Sequence, residues 1–240
     1  MEPGLFGRVL LGMTEPFLKP NTLSFNLRNG CLRCEAWVPQ QAKAVVVLTH
    51  GTGTYRANRN LDRSVKWFYD QHIAFLATDL LTSQEFSDGT LRLNTELVTQ
   101  RILLLIGYLR DIPLFENLPI VLLGIGTGAD GVLSASARIP NQIKAVAAVN
   151  GICTKTEMLK KVFPASIPAL VLYQETLGQS GANRLSLPAE LKNIQFKKIF
   201  KSDDSTPWEA IEEATTWLSE IVTSKRSPIY ERERYEVGAR

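Results

Sequence analysis

The sequence predicts an α/β domain: a mostly parallel sheet with helices on both faces and an antiparallel hairpin at its N-terminal edge. Three observations carry this. Short runs of apolar residues, AVVVLT at Ala44–Thr49 and IVLL at Ile120–Leu123 among them, have the character of strands buried on both faces. They alternate with segments of helical spacing, of which Asn94–Arg110 is the longest. Between Leu23–Leu27 and Cys31–Val38 stands Arg28-Asn29-Gly30, whose Asn-Gly pair is a strong hairpin signal.

The elements follow in order. Pro39 ends the second hairpin strand, and Ala44–Thr49 empties into a glycine-bearing loop, His50-Gly51-Thr52-Gly53-Thr54. Leu61–Tyr69 has helical spacing, with Val65, Phe68 and Tyr69 on one face. Ile73–Thr78 is a buried strand closing on Asp79-Leu80-Leu81-Thr82, and a polar loop containing Asp88-Gly89 follows. The helix Asn94–Arg110 is expected to turn Leu97, Ile102, Leu105 and Leu109 inward. After the strand at Ile120 come a cluster of glycines and a helix with Val132, Leu133 and Ala137 at its spacing. Strands at Ile143–Val149 and Ala169–Tyr173, with a short helix Thr154–Val162 between them, continue the alternation. Ile194–Phe200 alternates more than the other strands and is placed nearer the sheet edge. Thr206-Pro207-Trp208-Glu209 has the form of a capping box with proline at the first helical position, opening a helix to about Val222.

Composition bounds the function. The chain has 240 residues, 45% hydrophobic and 21% charged, enough for one domain with a substantial core. A net charge of +3, not massed on one segment, argues against a nucleic-acid partner. No apolar run reaches the roughly 18 residues of a membrane span. MEPGLFGRVLLGM, with Glu2 and Arg8, is a poor signal peptide, and three cysteines cannot all pair, so a reduced, cytoplasmic location is expected. Cys31 and Cys34 form a C-x-x-C, but on a strand residues three apart face opposite sides, which argues against a redox or zinc pair.

The segment Pro119–Arg138 reads as strand, sharp turn and helix, and its turn is Gly124-Ile125-Gly126-Thr127-Gly128. Three stretches taken together, VVLTHGTGTYRANRN (Val46–Asn60), IAFLATDLLT (Ile73–Thr82) and LGIGTGADGVLSASARIP (Leu123–Pro140), resemble the dienelactone hydrolase-like branch of the α/β hydrolases over roughly Leu23 to Val222. The resemblance implies an α/β-hydrolase fold, an oxyanion loop at Gly51–Thr54 with His50 as a structural part of it, and a nucleophile elbow, usually G-A-S-T-G-A-A, at the glycine turn.

The chemistry is not implied with it. Acyl transfer in this fold needs a hydroxyl or thiol nucleophile, then a carboxylate, then a histidine, in that chain order. The serine position aligns with Gly126. The acid should follow Ala169–Tyr173, where the expected position falls near Leu177 with only Glu175 close by. The histidine should lie in Lys201-Ser202-Asp203-Asp204-Ser205, and none occurs after His72. Thr127 is the hydroxyl left in the turn, but as nucleophile it would put Ile125 where the elbow needs a small residue. Cys153 lies away from the elbow position and reads as a small buried hydrophobe; His72 reads as exposed and structural, with no metal ligand beside it.

Gly126-Thr127-Gly128-Ala129-Asp130-Gly131 also matches G-x-G-x-x-G, the dinucleotide fingerprint. It falls in a late strand–helix unit, and the next strand ends in Asn150-Gly151 rather than an acid for a ribose hydroxyl, so no cofactor is expected. Backbone N–H groups of Gly51, Thr52 and Gly53 and of the helix start at Thr127 would converge as an oxyanion-like crevice fit for a small carboxylate or phosphate, with Arg56 and Arg59 adjoining.

The expected organisation is an N-terminal extension at 1–21, an α/β-hydrolase-like domain at 22–223 and a charged tail at 224–240. Leu5, Phe6, Val9 and Leu10 in the extension form an apolar patch for docking on the domain or on a partner. The tail, with Lys225, Arg226, Glu231, Arg232, Glu233 and Arg234, does not pack a core; it is either solvated or a tether. The expected function is a hydrolase fold without hydrolysis, serving as a binding or structural component with a protein partner at the N-terminal segment or the tail. The rivals are an esterase with a non-standard site at Thr127 and a small-anion binder.

Overall fold

The computed structural model describes residues 20–27, 30–50, 59–151, 167–174, 194–199 and 208–224. Eight strands in these segments form one sheet: β1 (Asn21–Leu27), β2 (Gly30–Trp37), β3 (Ala44–His50), β4 (Ile73–Asp79), β5 (Ile120–Ile125), β6 (Ile143–Val149), β7 (Ala169–Gln174) and β8 (Ile194–Ile199). Their order is β1-β2-β4-β3-β5-β6-β7-β8. β1 and β2 are antiparallel, β2 meets β4 antiparallel, and every pair from β4 to β8 is parallel. The helices are α1 (Arg59–Asp70), α2 (Ser83–Ser87), α3 (Gly89–Arg92), α4 (Thr95–Arg110), α5 (Thr127–Arg138) and α6 (Trp208–Thr223). None of the described helices is long and apolar enough to cross a membrane.

The central strands have no solvated face. On β3, Val45 and Val47 point into one core with Ile102, Leu105 and Leu109 of α4 and Val132 of α5. Ala44, Val46 and Leu48 point into the other, with Val65 and Phe68 of α1 and Ala214 and Leu218 of α6. This is why β3, β4 and β5 read as unbroken apolar runs. The second layer is tied by hydroxyls as well: Ser64 and Thr215 hydrogen-bond at 3.3 Å in the buried seam between α1 and α6, and Trp67 Nε1 donates to Ser219 Oγ at 3.1 Å.

Several sequence expectations meet the structure directly. Cys31 is exposed and Cys34 buried, so the two thiols lie on opposite faces of β2. β8 is an edge strand, with Ile194 buried and Gln195 and Lys197 exposed. Two expectations need correction. Leu97 is only half-buried; the inner stripe of α4 is Val98, Ile102, Leu105, Ile106 and Leu109. The stretch after Thr82 is not simply a polar loop. Thr82 caps α2 in a capping box with Glu85, and Asp88 caps α3 by accepting from the N–H groups of Thr90 and Leu91. The helix expected at Thr154–Val162, the residues of the hairpin turn before Gly30, and the terminal segments at 1–19 and 225–240 lie outside the described residues.

Candidate functional site

The chain order creates a crevice at one place. From β3 the chain crosses by α1, on one face, to β4; from β4 it returns by α4, on the other face, to β5 on the far side of β3. Between β3 and β5 the connections therefore diverge, and the carboxyl ends of those strands mark the position where open α/β sheets hold ligands. His50, the last residue of β3, pairs in register with Ile125, the last of β5, and with Asp79, the last of β4.

The glycine turn stands there. Gly126 has φ 60° and ψ −126°, a conformation L-residues with a Cβ adopt only under strain. Its N–H donates to the carbonyl of Val149 at 2.9 Å, and its own carbonyl accepts from Ala129 N–H at 3.0 Å as α5 begins. The neighbouring glycines are held by close approach. A Cβ on Gly124 would stand 2.5 Å from both the Gly128 carbonyl oxygen and Val132 Cγ2, and one on Gly128 would stand 2.5 Å from the Thr49 carbonyl oxygen. Thr49 Oγ1 in turn donates to the Gly128 carbonyl at 3.4 Å. The helix start is thus pressed against β3 and β5, and the strained position falls on Gly126, where the elbow of this kind of fold carries its nucleophile.

Packing also accounts for the G-x-G-x-x-G pattern. Gly128 abuts Thr49, and a Cβ on Gly131 would meet Val98 Cγ1 of α4 at 2.5 Å. These glycines admit neighbouring backbone and side chains, which is a sufficient reason for the spacing without a pyrophosphate.

Of the residues singled out in the sequence, Gly124, Gly126, Thr127 and Gly128 come together at this turn. Thr127 is 2% exposed and takes the first helical position, so its N–H has no acceptor within α5. Gly51, Thr52 and Gly53, with Arg56, lie outside the described residues; the chain enters that loop from His50, beside the elbow. Glu175, Leu177, Lys201–Ser205 and Cys153 lie outside them as well. His72 is far away. It precedes β4, exposed, with φ 60° and its Nδ1 3.1 Å from the Gln40 carbonyl, at the opposite end of the sheet. The length of β4, roughly 20 Å at about 3.3 Å per residue, separates it from the elbow.

Two residues beside the turn were named in the sequence without being assigned to the site. Asp130 is 1% exposed in the first turn of α5, and a Cβ on Gly151 would stand 2.6 Å from its Oδ1. Asn150, at the end of β6, has φ 51°. The available signal was Asp130 itself, the one charged side chain between Pro119 and Ala137.

The chain has the α/β-hydrolase fold. A dienelactone hydrolase from Anabaena variabilis superposes with a TM-score of 0.64 at 21% identity, covering 85% of this chain and 96% of that one. The esterase Est1E from Butyrivibrio proteoclasticus gives 0.64 at 12% identity, covering 85% and 99%. A cold-adapted esterase from an Arctic intertidal metagenomic library gives 0.62 at 16%, covering 87% and 96%. No protein-family model matches the chain. Two proteins from different strains of Mycobacterium tuberculosis, both bearing the name phosphoribosyl transferase, are 29% identical over 114 residues, 48% of this chain and 26% of theirs. The chain therefore spans about a quarter of the length of the curated relatives it matches.

Proposed function

We propose that this chain is an α/β-hydrolase-fold protein that does not hydrolyse, and that it works as a binding or structural component of a protein assembly. One observation carries the reading: the strained turn position is Gly126, with no side chain to attack a carbonyl. Three others support it. Gly124 and Gly128 have no room for a side chain in its place. Thr127 follows the strained position instead of occupying it and is buried. The chain has two histidines; His72 lies at the wrong end of the sheet, and His50 is level with Ile125, next to a strained position, Gly126, that bears no hydroxyl. The partner contact is assigned to the terminal segments, in particular the charged tail at 224–240, whose composition does not form a core.

The test is a panel of p-nitrophenyl esters together with a fluorophosphonate probe. The expected result is no turnover above buffer and no covalent label. Labelling that Thr127→Ala abolishes would replace this reading with an esterase built on Thr127. Affinity capture with the full chain and with a chain ending at Thr223 tests the partner: loss of partner recovery on removing the tail is expected, and equal recovery counts against the tail.

A second reading rests on the missing side chain itself. Gly126 puts no side chain over the start of α5, where the Thr127 N–H has no acceptor within the helix, an arrangement suited to a small carboxylate or phosphate. Titration with acetate and with phosphate, followed by the Thr127 amide shift in NMR, tests it; an unmoved Thr127 resonance at millimolar anion removes this reading.

A further inference from the structure

On its outward side α4 carries an exposed leucine, Leu104, flanked by Leu103 and Tyr108, which are partly buried and pack on the core. Its buried stripe faces the sheet, yet Gln100, Leu103, Leu104, Gly107, Tyr108 and Asp111 line an open groove of about 610 Å³ along the other side. These positions recur at three- and four-residue steps, so they form a continuous stripe over three turns. Leu104 is 47% exposed there. Leu104, with Leu103 and Tyr108 beside it, gives this groove an apolar middle between polar ends at Gln100 and Asp111. Gly107 adds a second observation. A Cβ at that position would meet nothing within 4 Å, so the described fold gives no reason for a glycine in the last turn of α4, where alanine is the more stable choice. A glycine on a helix face is explained when another chain segment approaches closely.

We propose that this groove is covered by the chain's own N-terminal segment, with Leu5, Phe6, Val9 and Leu10 seated on Leu103 and Leu104 across Gly107. The inference is independent of whether the elbow is catalytic. Position favours this occupant. Tyr108, in the groove wall, stacks on Phe25 with ring centroids 5.4 Å apart and donates its hydroxyl to the Asn26 carbonyl at 3.0 Å. The groove therefore borders β1, the strand into which residues 1–20 lead. The eleven residues from Leu10 to Asn21 reach up to about 35 Å, more than the length of β1. The four apolar residues fall at i, i+1, i+4 and i+5, a spacing that a helical turn would gather on one side. A second copy fits less well. The stripe is roughly 16 Å long and six residues wide in all, whereas a stable interface engages about 20–30 residues a side. Tethering supplies what a small contact lacks, since an attached segment acts at an effective concentration near millimolar.

The experiment uses the full chain. Gly107→Ala on an uncovered helix raises Tm by about 2–4 °C, the ordinary gain for an exposed helix-interior glycine in a domain of this size. Under a seated segment the added methyl meets it, so Gly107→Ala is expected to leave Tm unchanged or lower it. The gain is expected to reappear when Phe6→Ser releases the segment. A rise in Tm with the N-terminal segment intact overturns the proposal. Photo-cross-linking from p-benzoylphenylalanine installed at Leu104 identifies the occupant. Adducts within residues 1–19 of the same molecule are expected. A cross-linked dimer, a co-purified protein, or adducts solely outside residues 1–19 each overturn it.

Discussion

The carbonyl oxygen of Thr49, on β3, stands 2.5 Å from the point a Cβ on Gly128 would occupy. The first turn of α5 is thereby pressed against β3, and the turn at Gly126 is sharp although that position has no side chain. Gly128→Ala is expected to force backbone apart here, not a flexible side chain. The loss should be about 1–3 kcal/mol or more, read from the midpoint of urea unfolding at unchanged m-value.

Restoring the nucleophile alone should not restore hydrolysis. Gly126→Ser supplies a hydroxyl at the elbow, but with His72 roughly a strand's length away and no histidine beyond it, nothing of the expected chain order takes the proton. The expected outcome is a p-nitrophenyl acetate rate indistinguishable from the parent. Stability should fall by about 1–2 kcal/mol, because serine must adopt φ near +60°. Substantial turnover by this variant would mean that another base serves the elbow.

The Glu85–Arg101 pair should control acid stability. Burial pushes the Glu85 carboxyl upward, but the Thr82 N–H at 2.9 Å and the Arg101 guanidinium at 2.7 Å outweigh it and hold the group below its ordinary value near 4.5. A carboxylate with a lowered folded pKa contributes stability that is present above the ordinary value and is lost as pH falls through the folded one. Arg101→Met is expected to cost about 1–3 kcal/mol at pH 7. It should also flatten the pH dependence of Tm below about pH 4.5, and an unchanged acid limb would assign the limb to other carboxylates.

The Ser64–Thr215 hydroxyl pair offers a coupling test across the α1–α6 seam. Thr215→Val should leave the buried Ser64 hydroxyl without its partner across the seam and cost about 1–3 kcal/mol. Adding Ser64→Ala should cost less than its single-variant loss, giving a coupling of roughly 0.5–1 kcal/mol or more in a double-mutant cycle. Additive losses would show that the contact contributes little.

Much of the architecture was legible because its signals are local. AVVVLT and IVLL are apolar on both sides whatever their neighbours, so they read as central strands, and both are. The alternation of Ile194–Phe200 marked an edge strand for the same reason. The helices after Thr82 were hidden, since Ser83–Ser87 and Gly89–Arg92 are polar and short and declare themselves mainly through the caps at Thr82 and Asp88. The inner stripe of α4 was mis-phased at Leu97 because that helix has apolar residues on two sides, which makes its periodicity ambiguous.

At the site, the sequence by itself determined which groups exist. It holds a glycine at the elbow and two histidines, and no folding can add a hydroxyl to Gly126 or an imidazole after His72. Only the tertiary structure decided where those groups stand. It set the positive φ on Gly126, carried His72 to the far end of β4, and brought His50 level with Ile125. It also gave Gly128 and Gly131 their reasons, which are neighbours on β3 and α4 distant in the chain, and folded α5 back onto Gly124. The physical cause is the range of the interactions: side-chain chemistry is a property of one residue, while strain, proximity and close approach arise only when separate segments are packed together.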